Sequence, residues 1–283
     1  MDVVSIDSLL SNSEIIRVFP FRNKWTPDDP MAFVGQPPLF RPGTRSTPVR
    51  VSVTFTQHKQ YAEALASSWS MYYSDVKVGG PAYDDPGGEF TPGRFLKTGC
   101  TITSRGCPKK CGWCVVPSRS GAWRPLQIKP GWIVQDDNLL ASPAEHLRNV
   151  FTMLREQRRG IYFNGGLDKH FFQPWHRDLF DSIKIGELWF ACDTLSDLPA
   201  LEKIVPLLSG ISIEKLRCYT MIGYAGESLS DAQRRLERVF EIGFLPFCQL
   251  HQPPETQKHY TEEWRILQRK WIRPAAFRSQ VAS

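Results

Sequence analysis

Three cysteines, Cys107, Cys111 and Cys114, follow one another in the pattern C-x3-C-x2-C, directly after a β-rich run that ends at Gly106. A loop this tight can turn three thiolates toward one point while its backbone N–H groups still donate hydrogen bonds to sulfur. Three thiolates leave one iron of a [4Fe-4S] cubane without a protein ligand, whereas a cluster that only carries electrons normally takes four. An open coordination position is where a small molecule can bind the metal and be activated. A structural zinc site takes four ligands, usually as two paired knuckles. Here no second C-x2-C and no H-x3-H follows, and neither Cys100 nor His170 has zinc-ligand spacing as a fourth ligand. Three closely spaced thiols cannot all pair with one another. The chain's seven cysteines show no repeated spacing, which argues against a disulfide framework.

Strand and helix signals alternate from Gly99 onward, which implies parallel strands joined by helical crossovers. The expected strands are Cys100–Gly106, Gly131–Asn138, Ile161–Gly166, Glu187–Thr194, Lys215–Gly223 and Phe244–Leu250. The expected helices are Ser142–Arg159, Asp197–Ser209 and Ser228–Ile242, the last ended by Gly243. In the first of these, Ser142 is expected as N-cap, with Pro143 at N1 and Glu145 closing a capping box. Asp136, Asp137, Asn138, Asn164, Asp193, Thr194, Gln249 and His251 all fall at strand carboxyl ends. In parallel α/β barrels that end is where the chemistry is assembled.

Before this region, residues 1–45 are broken by prolines and read as an extended arm with one short strand, Ile15–Phe19. Residues 46–92 read as a small βαβ unit: strand Val49–Thr56, helix Tyr61–Tyr73 and strand Val76–Pro81. The catalytic unit is expected over 93–252. The C-terminal part, 253–283, holds an amphipathic helix, Tyr260–Pro274, with Trp264 and Trp271 on one face.

The cysteine spacing, with Trp113 just before the last cysteine, resembles the cluster-binding loop of the radical SAM superfamily. The resemblance covers roughly residues 99–252. It implies an α/β fold with a partial (β/α)6 TIM-like barrel. It also implies a [4Fe-4S] cluster on Cys107, Cys111 and Cys114, and S-adenosylmethionine chelated to the open iron through its amino and carboxylate groups. Reductive cleavage of that cofactor yields a 5′-deoxyadenosyl radical that abstracts hydrogen from a substrate. Trp113 is then expected near the adenine. The amino group is expected to meet either Asp137 and Asn138, where the family often has Gly-Gly-Glu, or Gly165 and Gly166 one strand later. Asp193 and Thr194 are expected to bind ribose hydroxyls or substrate. Gly223 and Gly226 are expected to let the backbone approach adenine, with an ordinary strand-end turn as the alternative. The βαβ unit resembles a piece of the cobalamin-binding domain found in some of these enzymes. It lacks the Asp-x-His-x-x-Gly motif, so it is read as vestigial and without cobalamin. The N-terminal arm and tail resemble a branch known simply as Fe-S oxidoreductases, which names no substrate.

The formal net charge of +6 permits an anionic partner without requiring one, because the basic residues are dispersed. It favours a nucleotide or nucleic-acid base over other small-molecule substrates. The basic residues flanking the cysteine loop, including Arg105, Lys109, Lys110 and Arg119, suit an acidic flavodoxin- or ferredoxin-type reductant. No run approaches the ~18 consecutive apolar residues of a membrane span, and the N-terminus lacks the features of a secretory signal. A cytoplasmic enzyme with no membrane partner is expected. The alternative is a non-catalytic nucleic-acid-binding protein stabilised by zinc or by an Fe-S cluster.

Overall fold

The computed structural model describes residues 11–253 and 258–272. Arg273 and Pro274, expected to end the tail helix, lie outside them. The chain divides into two compact units, Met1–Lys109 with Val115–Gly131, and Lys110–Cys114 with Trp132–Ser283.

In the first unit, β1 (Ile16–Phe19), β2 (Ala32–Val34), β3 (Val49–Ser52) and β4 (Val76–Gly79) form a parallel sheet in the order β2-β1-β3-β4. Helix α1 (Lys59–Ser70) lays Ala62, Leu65 and Trp69 against it at helical spacing. Trp69 satisfies its indole by donating to the Gly35 carbonyl at 3.1 Å. The stretch expected as an arm therefore contributes two strands to this sheet. β1 is buried along its whole length, Arg17 included. The Arg17 guanidinium is paired with Asp29 and donates to the Gly93 carbonyl at 3.0 Å, so its burial is compensated. Further on, the expected strand Cys100–Gly106 splits into β5 (Cys100–Thr101) and β6 (Ser104–Arg105). A short helix, α2 (Val116–Arg119), precedes β7 (Arg124–Pro125), which pairs antiparallel with β6.

In the second unit, β8 (Ile133–Val134), β9 (Ile161–Leu167), β10 (Ile185–Ala191), β11 (Leu216–Ile222) and β12 (Leu245–Leu250) run parallel, each beside the next. The crossovers are α3 (Ala144–Glu156), α4 (Pro174–Asp181), α5 (Leu198–Ile204) and α6 (Leu229–Ile242). α7 (Glu262–Ile272) follows β12 and buries Leu267 and Trp271 with residues of α6 and β12. Phe151, Phe163, Phe172, Phe180 and Phe190 pack ring against ring at the centre of this unit. The parallel α/β arrangement expected from the sequence is present, and its strands form an open row.

Three further local differences stand out. The N-cap of α3 is Pro143, not Ser142, and no side chain caps it. A 3-10 turn over Leu139–Ala141 draws the Ser142 N–H back to the Leu139 carbonyl at 3.0 Å, and Pro143 stays extended, which shifts the helix start by one residue. The expected strand Gly131–Asn138 shortens to β8. The helix α4 was not expected. Pro174 stands at its first position, and Gln173 and His176 form a reciprocal capping box. Among the described residues, no helix is long and apolar enough to cross a membrane.

Candidate active site

Burial separates the cysteines into two groups. Cys107 and Cys111 are half-buried and Cys114 is exposed, whereas Cys100, Cys192, Cys218 and Cys248 are buried. Burial pushes the Cys100 thiol up to about 11 and those of Cys192 and Cys248 to about 12, with Cys218 well above its ordinary value. These four stay protonated near neutrality and act as small core residues. The three cysteines of the loop are thus the accessible sulfur donors.

Local geometry anchors each part of that loop. Gly106 has φ +84°, and a Cβ there would run into the Ala122 carbonyl, so the turn out of β6 requires glycine. Cys107 N–H then donates to the Gly121 carbonyl at 3.2 Å. In the second unit, Cys114 N–H donates to the Cys111 carbonyl at 3.0 Å. The Trp113 ring meets Tyr224 edge-on at 5.4 Å, and Tyr224 in turn meets His251 at 4.9 Å. A Cβ on Gly112 would lie 2.6 Å from the Tyr224 hydroxyl oxygen, so Tyr224 sits directly on the loop backbone. Among the described residues, no group of three or more His, Cys, Asp or Glu stands close enough to hold a metal ion. The donor set nevertheless suits iron–sulfur chemistry: three accessible thiols on one short loop, with every other thiol withdrawn by burial. Thiolate ligands commonly converge only as the metal binds.

The structure brings the two candidate segments for an amino group side by side. Gly165 lies against the end of β8. A Cβ there would collide with the Asp136 carbonyl oxygen and lie 2.7 Å from the Asp136 nitrogen. The pairing of β9 with β10 shifts between Phe163 and Leu167, so Asn164, Gly165 and Gly166 bulge out of the ladder, and Gly166 takes φ +104° to do so. Asp136 and Asn138 are buried and Asp137 is half-buried. The Asn138 amide reaches Asp168 at 3.5 Å. Asn164 is 8% exposed, and its side-chain oxygen has no hydrogen-bond partner among the described residues. A buried acceptor in that state costs stability unless a donor arrives.

Asp193 and Thr194 end β10 in different circumstances. The Thr194 hydroxyl and N–H both donate to Asp197 Oδ2 at 3.0 Å, so Thr194 is committed to a capping box. Asp197 also binds the buried Lys169 ammonium at 2.7 Å. Burial alone would raise the Asp197 pKa, but Lys169 and the hydrogen bonds from Lys169 and Thr194 outweigh it and hold it below the usual carboxylate value. Asp193 accepts from Met221 N–H at 2.9 Å, and its pKa is raised, chiefly by burial. Sequence reasoning missed both Lys169 and Asp197. The Thr194-x-x-Asp197 capping pattern at a strand end was a readable signal for Asp197; Lys169 had none.

Gly223, expected to let the backbone approach adenine, lies close to the ring of Tyr260. A Cβ would lie 2.6 Å from Tyr260 Cε1, and the Gly223 carbonyl accepts from Lys258 Nζ at 2.6 Å. Gly226, at φ +77°, has open space beside it. A second unexpected residue, Arg235, is fully buried and ties three segments together. It donates to the Cys192 carbonyl at 2.8 Å and the Met221 carbonyl at 2.9 Å, and pairs with Glu227. Around the loop, Arg124 donates to the Pro86 carbonyl at 3.1 Å, so not all of the expected basic rim is solvated.

No protein-family model and no curated protein matches the sequence. Among solved structures, the chain is similar to the radical S-adenosylmethionine methyltransferase TsrM from Kitasatospora setae, determined with cobalamin and a [4Fe-4S] cluster bound. The TM-score is 0.56 at 12% identity, covering 83% of this chain and 74% of that one. Coproporphyrinogen III oxidase (HemN) from Escherichia coli, a radical SAM enzyme, aligns at a TM-score of 0.35 and 11% identity over 54% of this chain and 40% of that one. At such identity the likeness to TsrM is one of fold: the chain shares the α/β fold of that structure.

Proposed function

We propose that the chain is a radical SAM enzyme in which Cys107, Cys111 and Cys114 hold a [4Fe-4S] cluster and leave one iron open for S-adenosylmethionine. The observation that carries this reading is the C-x3-C-x2-C loop, whose thiols alone among the seven escape deep burial, on a chain that has this fold. Bound there and reduced, such a cluster would supply the one electron that splits the sulfonium into methionine and a 5′-deoxyadenosyl radical able to take hydrogen from a substrate.

The chain's own residues have separable roles in this scheme. Asn164, with an unpartnered and buried side-chain oxygen, supplies an acceptor suited to an ammonium group, beside Asp137 and Asn138 at the end of β8. Gly165 and Gly166 keep that corner free of side chains. Asp193 offers a carboxylate to ribose hydroxyls or substrate, whereas the Thr194 hydroxyl serves its capping box first. Trp113 and Tyr224 present ring edges next to the loop, where an adenine can pack. The buried strand ends hold the reactants in contact and exclude water.

The favoured substrate is a nucleotide or nucleic-acid base, supported by the net charge of +6. The basic residues flanking the loop suit an acidic flavodoxin- or ferredoxin-type donor. The first unit, lacking Asp-x-His-x-x-Gly, is read as a cobalamin-domain relic that supplies no cobalt ligand. Free thiols and an oxygen-sensitive cluster fit a reducing, cytoplasmic setting.

The test is electron paramagnetic resonance of the anaerobically reconstituted, reduced protein with and without S-adenosylmethionine. A [4Fe-4S]+ signal that shifts on adding the cofactor is expected, together with 5′-deoxyadenosine as product. No cluster, or a signal blind to S-adenosylmethionine, overturns the reading in favour of a non-catalytic nucleic-acid-binding protein built around a structural metal.

A further inference from the structure

The first unit carries an aromatic surface that the chemistry above does not use. Its sheet order, β2-β1-β3-β4, sends the chain from β1 to β2 on one side while β3 lies on the other. The carboxyl ends of β1 and β3 therefore flank a topological switch point, where open parallel sheets bind ligands. Phe21 follows β1 by two residues, and Phe55 and His58 follow β3. Phe21 packs on His58 at 4.5 Å and on Tyr61 at 5.4 Å, and Phe55 meets His58 edge-on at 5.7 Å. These rings stay open to solvent: Phe21 is 54% exposed, Phe55 52% and Tyr61 39%. Four ring side chains gathered at one point, with Phe21 and Phe55 left half uncovered, are costly unless something flat lies on them.

Charge narrows what that is. The segments carrying the rings, Phe19–Lys24 and Thr54–Tyr61, contain Arg22, Lys24 and Lys59 and no acidic residue. α1 opens beside the rings with no acidic side chain in its first turn. Burial lowers the His58 pKa, so near neutrality its ring stacks as a neutral aromatic. Exposed rings interleaved with cationic side chains are the arrangement that holds unpaired bases by stacking and their phosphates by charge.

We propose that this surface binds single-stranded nucleic acid, with bases stacked on Phe21 and Phe55 and the backbone followed by Arg22 and Lys24. The proposal deepens the nucleic-acid reading of the substrate and is independent of the cluster assignment. The experiment is fluorescence anisotropy of a labelled single-stranded oligonucleotide titrated with the full-length protein at low salt. Each of Phe21→Ala and Phe55→Ala is expected to weaken binding by about 5- to 100-fold, the loss from removing one base–aromatic stack. Phe40→Ala, which removes an exposed ring outside the cluster, is expected to leave it unchanged. Wild-type affinity in both cluster variants, equal affinity for a duplex of the same sequence, or no binding by the wild type overturns the proposal. Phe55→Tyr keeps a stacking ring and is expected to retain binding, which separates lost stacking from misfolding. The cluster signal and its shift with S-adenosylmethionine are expected to be intact in Phe21→Ala. Failure here therefore leaves the proposed enzymology standing, and failure of the cofactor test leaves this one standing.

Discussion

Gly165→Ala isolates the contact that joins the two strand ends of the candidate site. The added methyl would collide with the Asp136 carbonyl oxygen and come within 2.7 Å of Asp136 N and Gln135 C, all of them backbone atoms that no rotamer change can move. Relief requires β8 to move away from β9 by roughly an ångström, since carbon needs about 3.5 Å for a favourable contact. That motion strains the ladder in which Ile133 faces Tyr162 and Val134 faces Phe163, including the 2.8 Å bond from Tyr162 N–H to the Trp132 carbonyl. Overpacking costs about 1–3 kcal/mol and one weakened buried hydrogen bond about 1 kcal/mol more, so the variant is expected to lose about 2–4 kcal/mol. For a chain of this size that lowers Tm by roughly 5–15 °C. The neighbouring Gly166→Ala separates steric from conformational cost. Nothing lies within 4 Å of its Cβ position, but its φ of +104° is unfavourable to alanine, so it should lose only about 1–2 kcal/mol. Gly88→Ala, with open space and no positive φ, is expected to change nothing. Anaerobic thermal melts of the three variants decide the matter. If Gly165→Ala melts with the wild type, the packing of β9 on β8 at this corner is wrong.

Four shorter predictions follow from other parts of the second unit. Arg235→Met removes a buried cation from Glu227 and two carbonyl groups, and is expected to cost about 3–5 kcal/mol in a denaturant titration. Tyr224→Ala takes away the ring against Gly112 and Trp113 and is expected to lower the iron retained after reconstitution, while Tyr224→Phe, which keeps the ring, retains it. His176 is buried and accepts from Gln173 N–H through Nδ1, and burial brings its pKa from 6.5 down to about 4. The unfolded chain then binds the extra proton between those values, so stability is expected to fall by about 3 kcal/mol as pH drops from 6.5 to 4, and His176→Gln should flatten that slope. The depressed Asp197 carboxyl contributes stability that is present above 3.8 and lost as pH falls below it, so Asp197→Asn should reduce the acid sensitivity of the melting temperature there.

The spacing of the cysteine triplet and the alternation of strands and helices were legible because both are local. Ligand spacing is written along the chain, and a strand or amphipathic helix shows its period within about a dozen residues. Gly243 ending α6 with φ +109° was readable for the same reason. Elements that depend on neighbours were not. β2, and the place of β1 and β2 in a parallel sheet, were hidden in a proline-rich stretch because that sheet depends on β3, more than a dozen residues away in sequence. α4 is only eight residues long, too short for its period to stand out. At the site, residue type put Asp193 and Thr194 together as binding groups, but only packing showed that Thr194 is spent on Asp197 and that Lys169 neutralises Asp197 from the far side of a loop. Gly223 was marked for a close approach to adenine, whereas in the fold its Cα faces Tyr260, which arrives from beyond β12. The sequence by itself determined the cysteine spacing and the fold class, because residue spacing and hydrophobic period are properties of short segments. Tertiary structure alone decided which polar groups at the strand ends remain available, because burial and hydrogen-bond saturation arise only when distant segments meet.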